Sequence, residues 1–193
     1  MRARRLNAAF FFGLCCALCL GGCALLSPGS GGFAPEPLGI APAVLGEHTV
    51  EQRLVIRWSR GERSMDAVLE ISADRLRLVM LAFGMRLASL DFDGEKLVVQ
   101  RFVPHAPEGV RMLNDLLMIA APLEDLRRAL PPGVRVTERL VDGKMRREIA
   151  PDMHEDEATK IVVDYETESP WRGKVNFRNP VMGYELVLES HEI

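Results

Sequence analysis

Apolar and polar residues alternate along most of the chain with a period of two. In TVEQRLVIRWS, Leu54, Ile56 and Trp58 fall on one face, and Arg53 and Arg57 fall on the other. This period is typical of a half-buried β-strand. The same pattern recurs in ERSMDAVLEIS, RLRLVMLAF, MRLASLDFD and KLVVQRFV, with a strong turn signal at Asp93-Gly94. Five consecutive strands with short turns predict an antiparallel meander.

The period changes after Pro107, where apolar residues recur at helical spacing. Residues 110–120 and 123–130 predict two short amphipathic helices, separated at Pro122. Alternation then resumes in VRVTERLV, KMRREIA, KIVVDYETE, KVNFRN and YELVLES. The predicted fold is mainly β: a strongly curved antiparallel sheet of roughly ten strands that forms an incomplete, open barrel, with the helical insert against its concave face.

Such a sheet can enclose an apolar cavity under the helical insert. The inward positions of the first three strands carry no charge, and Trp58 is expected inside because it shares a face with Leu54 and Ile56. A close-packed core would use the same residues, so the pattern leaves both possibilities open. Trp171 is equally consistent with a core position or a lid contact. The residues predicted to line a cavity are Leu54, Ile56, Trp58, Leu69, Ile71, Leu78, Met80, Leu116 and Leu117.

The N-terminal segment has the layout of a secretory signal peptide. Three arginines precede the uncharged stretch 6–20, which is too short for a confident membrane span. Leu20-Gly21-Gly22-Cys23 then resembles the lipobox of bacterial lipoproteins, and all four cysteines lie in the first 23 residues. We therefore predict a signal peptide over 1–22 and lipid attachment at Cys23. The alternatives are an ordinary secretory peptide and an uncleaved N-terminal span.

Composition and charge restrict the remaining chain. Residues 27–46 are rich in Pro, Gly, Ser and Ala, so we predict a lipidated tether over 23–46 and one domain over 47–193. Removing three arginines with the signal peptide leaves 21 basic against 27 acidic residues, a formal net charge of −6 with neutral histidines. Such an acidic domain is a poor candidate for nucleic-acid binding. Ala24 after the cysteine, where enterobacterial retention signals have aspartate, indicates the outer membrane.

Two stretches resemble the LolA/LolB superfamily of lipoprotein sorting: RLRLVMLAFGMRLASLDFD followed by KLVVQ, and LNDLLMIAAPLEDLRRALPPG. The C-terminal run WRGKVNFRNPVMGYELVLES is more similar to a branch of outer-membrane lipoproteins in this superfamily, whose genes often lie among those for aryl polyene and lipid synthesis. The resemblance implies an open barrel with a helical lid that holds acyl or polyene lipid, or the acyl chains of a lipoprotein. It also implies a lipid anchor on the periplasmic face of the outer membrane, and a periplasmic carrier protein as a partner.

The resemblance also implies a membrane-contact loop. In the receptor of this superfamily, an apolar side chain before a loop glycine protrudes and helps deliver cargo to the membrane. Phe83 stands at the matching position before Gly84, with Met85 beside it, in a loop one residue shorter than the receptor's. Phe83 either projects towards a bilayer or folds back into the core.

Motifs of catalysis, cofactor binding and metal binding are absent from the sequence. No nucleophile elbow, phosphate loop, dinucleotide fingerprint or His-Glu-x-x-His occurs, and the four histidines are scattered. The acidic segment 152–157 has oxygens for a hard cation, but it is more typical of a solvated loop. We therefore expect no enzyme, cofactor or metal. The leading hypothesis is a lipid-handling outer-membrane lipoprotein, and the alternative is a structural or assembly lipoprotein with a solid core and a protein partner.

Overall fold

The computed structural model describes residues 36–104, 108–152 and 156–193. A short 3-10 helix, Pro42–Leu45, precedes ten strands and two α-helices. The first five strands are β1 His48–Trp58, β2 Gly61–Ile71, β3 Leu76–Ala82, β4 Met85–Phe92 and β5 Leu97–Arg101. Helices α1 Gly109–Ala120 and α2 Leu123–Ala129 follow. The last five strands are β6 Val134–Val141, β7 Lys144–Pro151, β8 Ile161–Tyr165, β9 Gly173–Asn179 and β10 Tyr184–Glu192.

All ten strands belong to one antiparallel sheet. Its strand order is β5-β4-β3-β2-β1-β10-β9-β8-β7-β6, so β5 and β6 are the two edges and the barrel is not closed between them. The first and last strands pair along their length, with Leu54 opposite Leu188 and Trp58 opposite Tyr184. This pairing joins a first half, β1–β5, to a second half, β6–β10. The predicted mainly β open barrel with a helical insert is confirmed. The helices in the described part of the chain include no candidate for a membrane span.

The core lies between the concave face of the sheet and the helices. Alternate residues of each strand point inward, as in β2, where Met65, Ala67, Leu69 and Ile71 are all buried. The apolar stripe of α1 closes over them, and Leu113 and Leu117 are completely buried. Burial of such side chains stabilises the fold by roughly 25 cal/mol per Å² of apolar surface.

The second half of the sheet holds the C-terminal end of α1. The last carbonyls of a helix have no partner within the helix. Arg147 Nη1 donates to the carbonyl oxygens of Met118 at 2.7 Å and Ile119 at 3.2 Å, and the Tyr165 hydroxyl donates to Ile119 at 2.6 Å. These buried side chains of β7 and β8 therefore cap the helix and fix its end to the sheet.

The folded domain begins before the boundary predicted at Glu47. Leu38, Ile40 and Leu45 are buried in the core. Asn114 of α1 binds this segment twice, accepting from the Leu38 amide at 2.9 Å and donating to the residue 36 carbonyl at 2.9 Å. The predicted tether over 23–46 therefore extends too far along the chain. Its C-terminal part belongs to the folded domain, because the apolar residues among its prolines and glycines pack into the core. The signal peptide, Cys23 and the start of the tether lie outside the described residues.

Candidate functional site

A cleft of about 400 Å³ lies between α1 and the strands β3, β2, β1 and β10. Its sheet side is apolar because it is formed by inward positions of these neighbouring strands. Its helix side is formed by Met112, Leu116 and Ile119, which lie on one face of α1. Polar side chains lining the cleft are Gln52, Glu108, Arg111, Asp115 and the phenol of Tyr184. The cleft is open to solvent rather than sealed.

Six of the nine predicted cavity residues line this cleft: Leu54, Ile56, Trp58, Leu78, Met80 and Leu116. The other three, Leu69, Ile71 and Leu117, are buried among core residues instead. Alternation identifies which face of a strand points inward, but it does not reveal where along that face the packing leaves space. The close-packed core and the cleft, which the pattern left as alternatives, therefore coexist.

Trp58 is not an interior residue. It ends β1 opposite Gly61 and Tyr184, and its exposed fraction is 39%. The side chain does share the inward face with Leu54 and Ile56, as predicted, but the strand ends there and little packs beyond it. Trp58 therefore stands at the mouth of the cleft. Trp171, by contrast, is a core residue, 5% exposed, with its ring 4.9 Å from that of His48.

Sequence reasoning missed the contribution of β10 and its preceding turn. Leu186 and Leu188 line the cleft beside β1, and Met182 and Tyr184 extend it. The alternation in YELVLES marks Leu186 and Leu188 as inward positions, so that signal was available. Nothing in the sequence indicates that the last strand pairs with the first, which is what brings these residues to the site.

The main polar feature of the cleft is a hydrogen bond between α1 and β10. The Tyr184 hydroxyl donates to Asp115 Oδ2, and the Asp115 residue is only 7% exposed. Burial raises the pKa of Asp115 to about 7, although the Tyr184 hydrogen bond and the Arg111 charge act in the opposite direction. Burial also raises the pKa of Tyr184, and the neighbouring carboxyl raises it further. A titratable carboxyl thus joins the helix to the sheet inside an apolar cleft.

The turn between β3 and β4 carries an apolar tip. Phe83 and Gly84 both have positive φ, 51° and 74°, as in a two-residue type I′ hairpin. The exposed fraction is 98% for Phe83 and 61% for Met85. Of the two conformations considered from the sequence, Phe83 adopts the projecting one.

No group of three or more His, Cys, Asp or Glu suited to a metal ion occurs among the described residues, while His105 and His154 lie outside them.

The chain is similar to one protein family and to several solved structures. A family model described as "Protein of unknown function (DUF3261)" matches residues 49–192. No curated protein matches the chain. Similar solved structures include a LolA superfamily protein from Nitrosomonas europaea, with 12% identity, a TM-score of 0.39, and coverage of 80% of this chain and 89% of that one. The lipoprotein LppX from Mycobacterium tuberculosis has 12% identity, a TM-score of 0.33, and coverage of 77% and 87%. A DUF1329 family protein from Desulfovibrio piger has 13% identity, a TM-score of 0.27, and coverage of 81% and 92%.

Proposed function

The chain belongs to the DUF3261 family, and from the geometry of its cleft we propose that it is a lipid-binding lipoprotein of the cell envelope. The cleft between α1 and the sheet would hold an acyl or polyene chain, and the protein would help deliver that cargo to the outer membrane. Cys23 would carry the lipid anchor. The proposal rests on the open, apolar-walled space between α1 and the sheet.

The size and lining of the cleft suit a lipid chain. Its volume of about 400 Å³ lies within the range of about 300–1,000 Å³ that is usual for small-molecule sites. Apolar side chains form most of its walls, so binding would come from burial of methylenes, each contributing about 0.8 kcal/mol. The methionines Met65, Met80, Met112 and Met182 add flexible, polarisable contacts that adapt to an irregular chain.

The helix α1 is the proposed lid. Arg147 and Tyr165 cap its C-terminal end, whereas one hydrogen bond to Tyr184 crosses the cleft from its middle. Opening would break that bond, release the Asn114 hydrogen bonds to residues 36 and 38 and expose Leu113, while the C-terminal end of α1 stays attached. This arrangement supports entry and exit of a long apolar chain.

The apolar tip would contact the bilayer. The Phe83 side chain stands almost entirely in solvent and the Met85 side chain is mostly exposed, so both lower the solubility of the protein. Insertion into a membrane interface would bury them. A periplasmic carrier that brings the cargo is the proposed protein partner.

Native mass spectrometry of the compact unit Gly32–Ile193, purified from bacteria, tests the proposal. Described residues of this unit contain the entire ten-stranded sheet and share one core, so the unit is suited to fold alone. We expect a co-purifying acyl or polyene lipid, and a fluorescent fatty-acid probe that the lipid displaces. A ligand-free protein that binds no probe would contradict the proposal and favour an assembly lipoprotein with a protein partner.

A pair of tryptophan substitutions localises the binding. Ile56→Trp fills the cleft, and we expect it to weaken binding of the probe strongly. Val98→Trp introduces the same side chain at an exposed position outside the cleft and should leave binding unchanged. Equal effects of the two substitutions would show that the probe binds elsewhere.

A further inference from the structure

One end of the first half of the sheet collects exposed apolar side chains. The β1–β2 turn, the β3–β4 turn and the end of β5 all lie at this end, because successive antiparallel strands reverse direction. Trp58, Phe83, Met85 and Phe102 stand there with exposed fractions of 39%, 98%, 61% and 50%. We call this region the apolar end. Isolated exposed apolar residues are ordinary, but four large ones on adjacent strand ends indicate an interaction surface.

Arginines surround these apolar side chains. Arg60 lies in the β1–β2 turn, Arg63 on β2 and Arg86 on β4, and Arg101 ends β5; all four are exposed. None of them forms an ion pair within the described ranges 36–104, 108–152 and 156–193. The Arg86 guanidinium lies 5.6 Å from the centre of the Phe102 ring, so charge and apolar surface are in direct contact.

Two acidic residues near the apolar end pair with other arginines, while the exposed Asp66, opposite Leu81, has no ion pair among the described residues. Glu62 pairs with Arg57 at 3.1 Å, and Glu108 pairs with Arg111 at 3.0 Å. The four unpaired arginines therefore give the apolar end a local excess of positive charge, although the whole chain has a net charge of −3. A general excess of basic residues cannot explain it. The local composition, aromatic and apolar side chains among unpaired arginines, suits the interface of an anionic bilayer.

We propose that the apolar end docks onto a membrane surface rich in anionic lipid headgroups, with Phe83 in the interface and the four arginines against the headgroups. A bilayer fits better than a protein partner because Phe83 protrudes almost completely from a tight turn and needs a soft, penetrable surface. The mouth of the cleft lies at the same end, since Trp58 lines the cleft and Arg63 stands opposite Ile56. Docking would therefore bring the cleft opening to the headgroups.

This inference rests on the proposed function for the membrane role of the tip, and it adds the lipid class that the tip meets. Its test is vesicle co-sedimentation of Gly32–Ile193, which lacks the anchor cysteine. One set of vesicles is phosphatidylcholine alone, and the other is phosphatidylcholine with an equal part of phosphatidylglycerol. We expect binding to the anionic vesicles that is at least about tenfold stronger and that weakens with salt.

A matched pair of triple variants tests the location of the charge. Arg60→Gln/Arg63→Gln/Arg101→Gln should lower binding to anionic vesicles by about tenfold or more, since each basic residue near an anionic surface contributes to affinity. Arg53→Gln/Lys96→Gln/Lys174→Gln removes the same charge from exposed positions away from the apolar end and should bind as the parent does. Thermal unfolding confirms that both variants fold.

Three results would overturn the inference: equal binding to both kinds of vesicle, equal losses in the two triple variants, or no vesicle binding by the parent. Binding of the fatty-acid probe, measured without vesicles, separates this failure from failure of the proposed function. If the probe binds all three proteins equally while the docking test fails, the cleft proposal stands and the anionic docking surface does not.

Discussion

Two hairpin turns, one in each half of the sheet, have nearly the same backbone and very different residues. Phe83 and Gly84 have φ values of 51° and 74°, and Asp142 and Gly143 have 51° and 76°. Aspartate tolerates the left-handed conformation because its short side chain bonds locally, whereas a bulky residue there is an outlier. The turn of the second half has a residue that suits its conformation. The turn of the first half has Phe83, a bulky apolar residue that suits neither the left-handed backbone nor a fully exposed position. Its presence there indicates a role other than folding.

The halves differ in their charges as well. In the second half most arginines are paired, as in Arg139 with Glu148 at 2.6 Å and Arg146 with Asp164 at 2.6 Å. The first half leaves its arginines at the apolar end unpaired. Buried contacts differ as well, since Arg147 and Tyr165 of the second half fix α1, while the sheet side of the cleft is formed mostly by β1, β2 and β3 of the first half, with β10 beside them. The second half therefore fixes the C-terminal end of α1, and the first half presents the apolar end and most of the sheet side of the cleft.

The largest expected effect concerns the support of α1. Arg147→Met removes a guanidinium whose side chain is 7% exposed, leaves Glu138 without its ion pair and uncaps the helix. We expect a loss of about 5 kcal/mol in the free energy of unfolding, measured by urea denaturation. Arg146→Met breaks the neighbouring but partly exposed pair with Asp164 and should cost at most about 1 kcal/mol. Similar losses for the two variants would refute the division between supporting and exposed arginines.

A smaller effect concerns the pH dependence of the free energy of unfolding. The pKa of Asp115 is about 7 in the folded protein against an ordinary value of 3.8, so the folded state retains a proton that the unfolded state has lost. Stability should therefore fall as pH rises from about 4 to about 7, by at most about 4 kcal/mol. Asp115→Asn should remove this part of the pH dependence, as judged by urea unfolding at a series of pH values. Parallel profiles of parent and variant would show that the carboxyl is not protonated in the fold.

The smallest expected change in the free energy of unfolding comes from substitutions in the two hairpin turns, and it tests their comparison directly. Replacing Phe83 by Asn puts a suitable residue in the left-handed conformation and should raise the free energy of unfolding by about 1 kcal/mol. Asp142→Phe should lower it by a similar amount. Vesicle binding should fall only in the Phe83 variant. If Phe83→Asn instead destabilises the domain, the aromatic ring has a packing role that its exposure conceals.

Much of this architecture follows from local pattern. A dominant period of two located the ten strands, although β8 begins with three consecutive buried residues, Ile161, Val162 and Val163. The change to helical spacing after Pro107 located both helices, because one buried face imposes its period on an element. The same reasoning failed where local pattern conflicts with long-range packing. Leu38 and Ile40 lie in a stretch with the composition of a linker, yet both are buried in the core, and Asn114 of α1 binds the backbone of residues 36 and 38. Trp58 has an inward pattern, yet the end of its strand leaves it exposed.

The sequence by itself determined the strands, the helical insert, the inward faces and the apolar residue before Gly84. It contained no information on which inward residues meet a void, because that depends on how β10 closes against β1 and on how Arg147 and Tyr165 position α1. The tertiary structure alone separated Leu69 and Ile71 in the core from Leu54 and Ile56 in the cleft. It also placed Asp115 beside Tyr184, because an interior contact between residues distant in the chain arises only from packing.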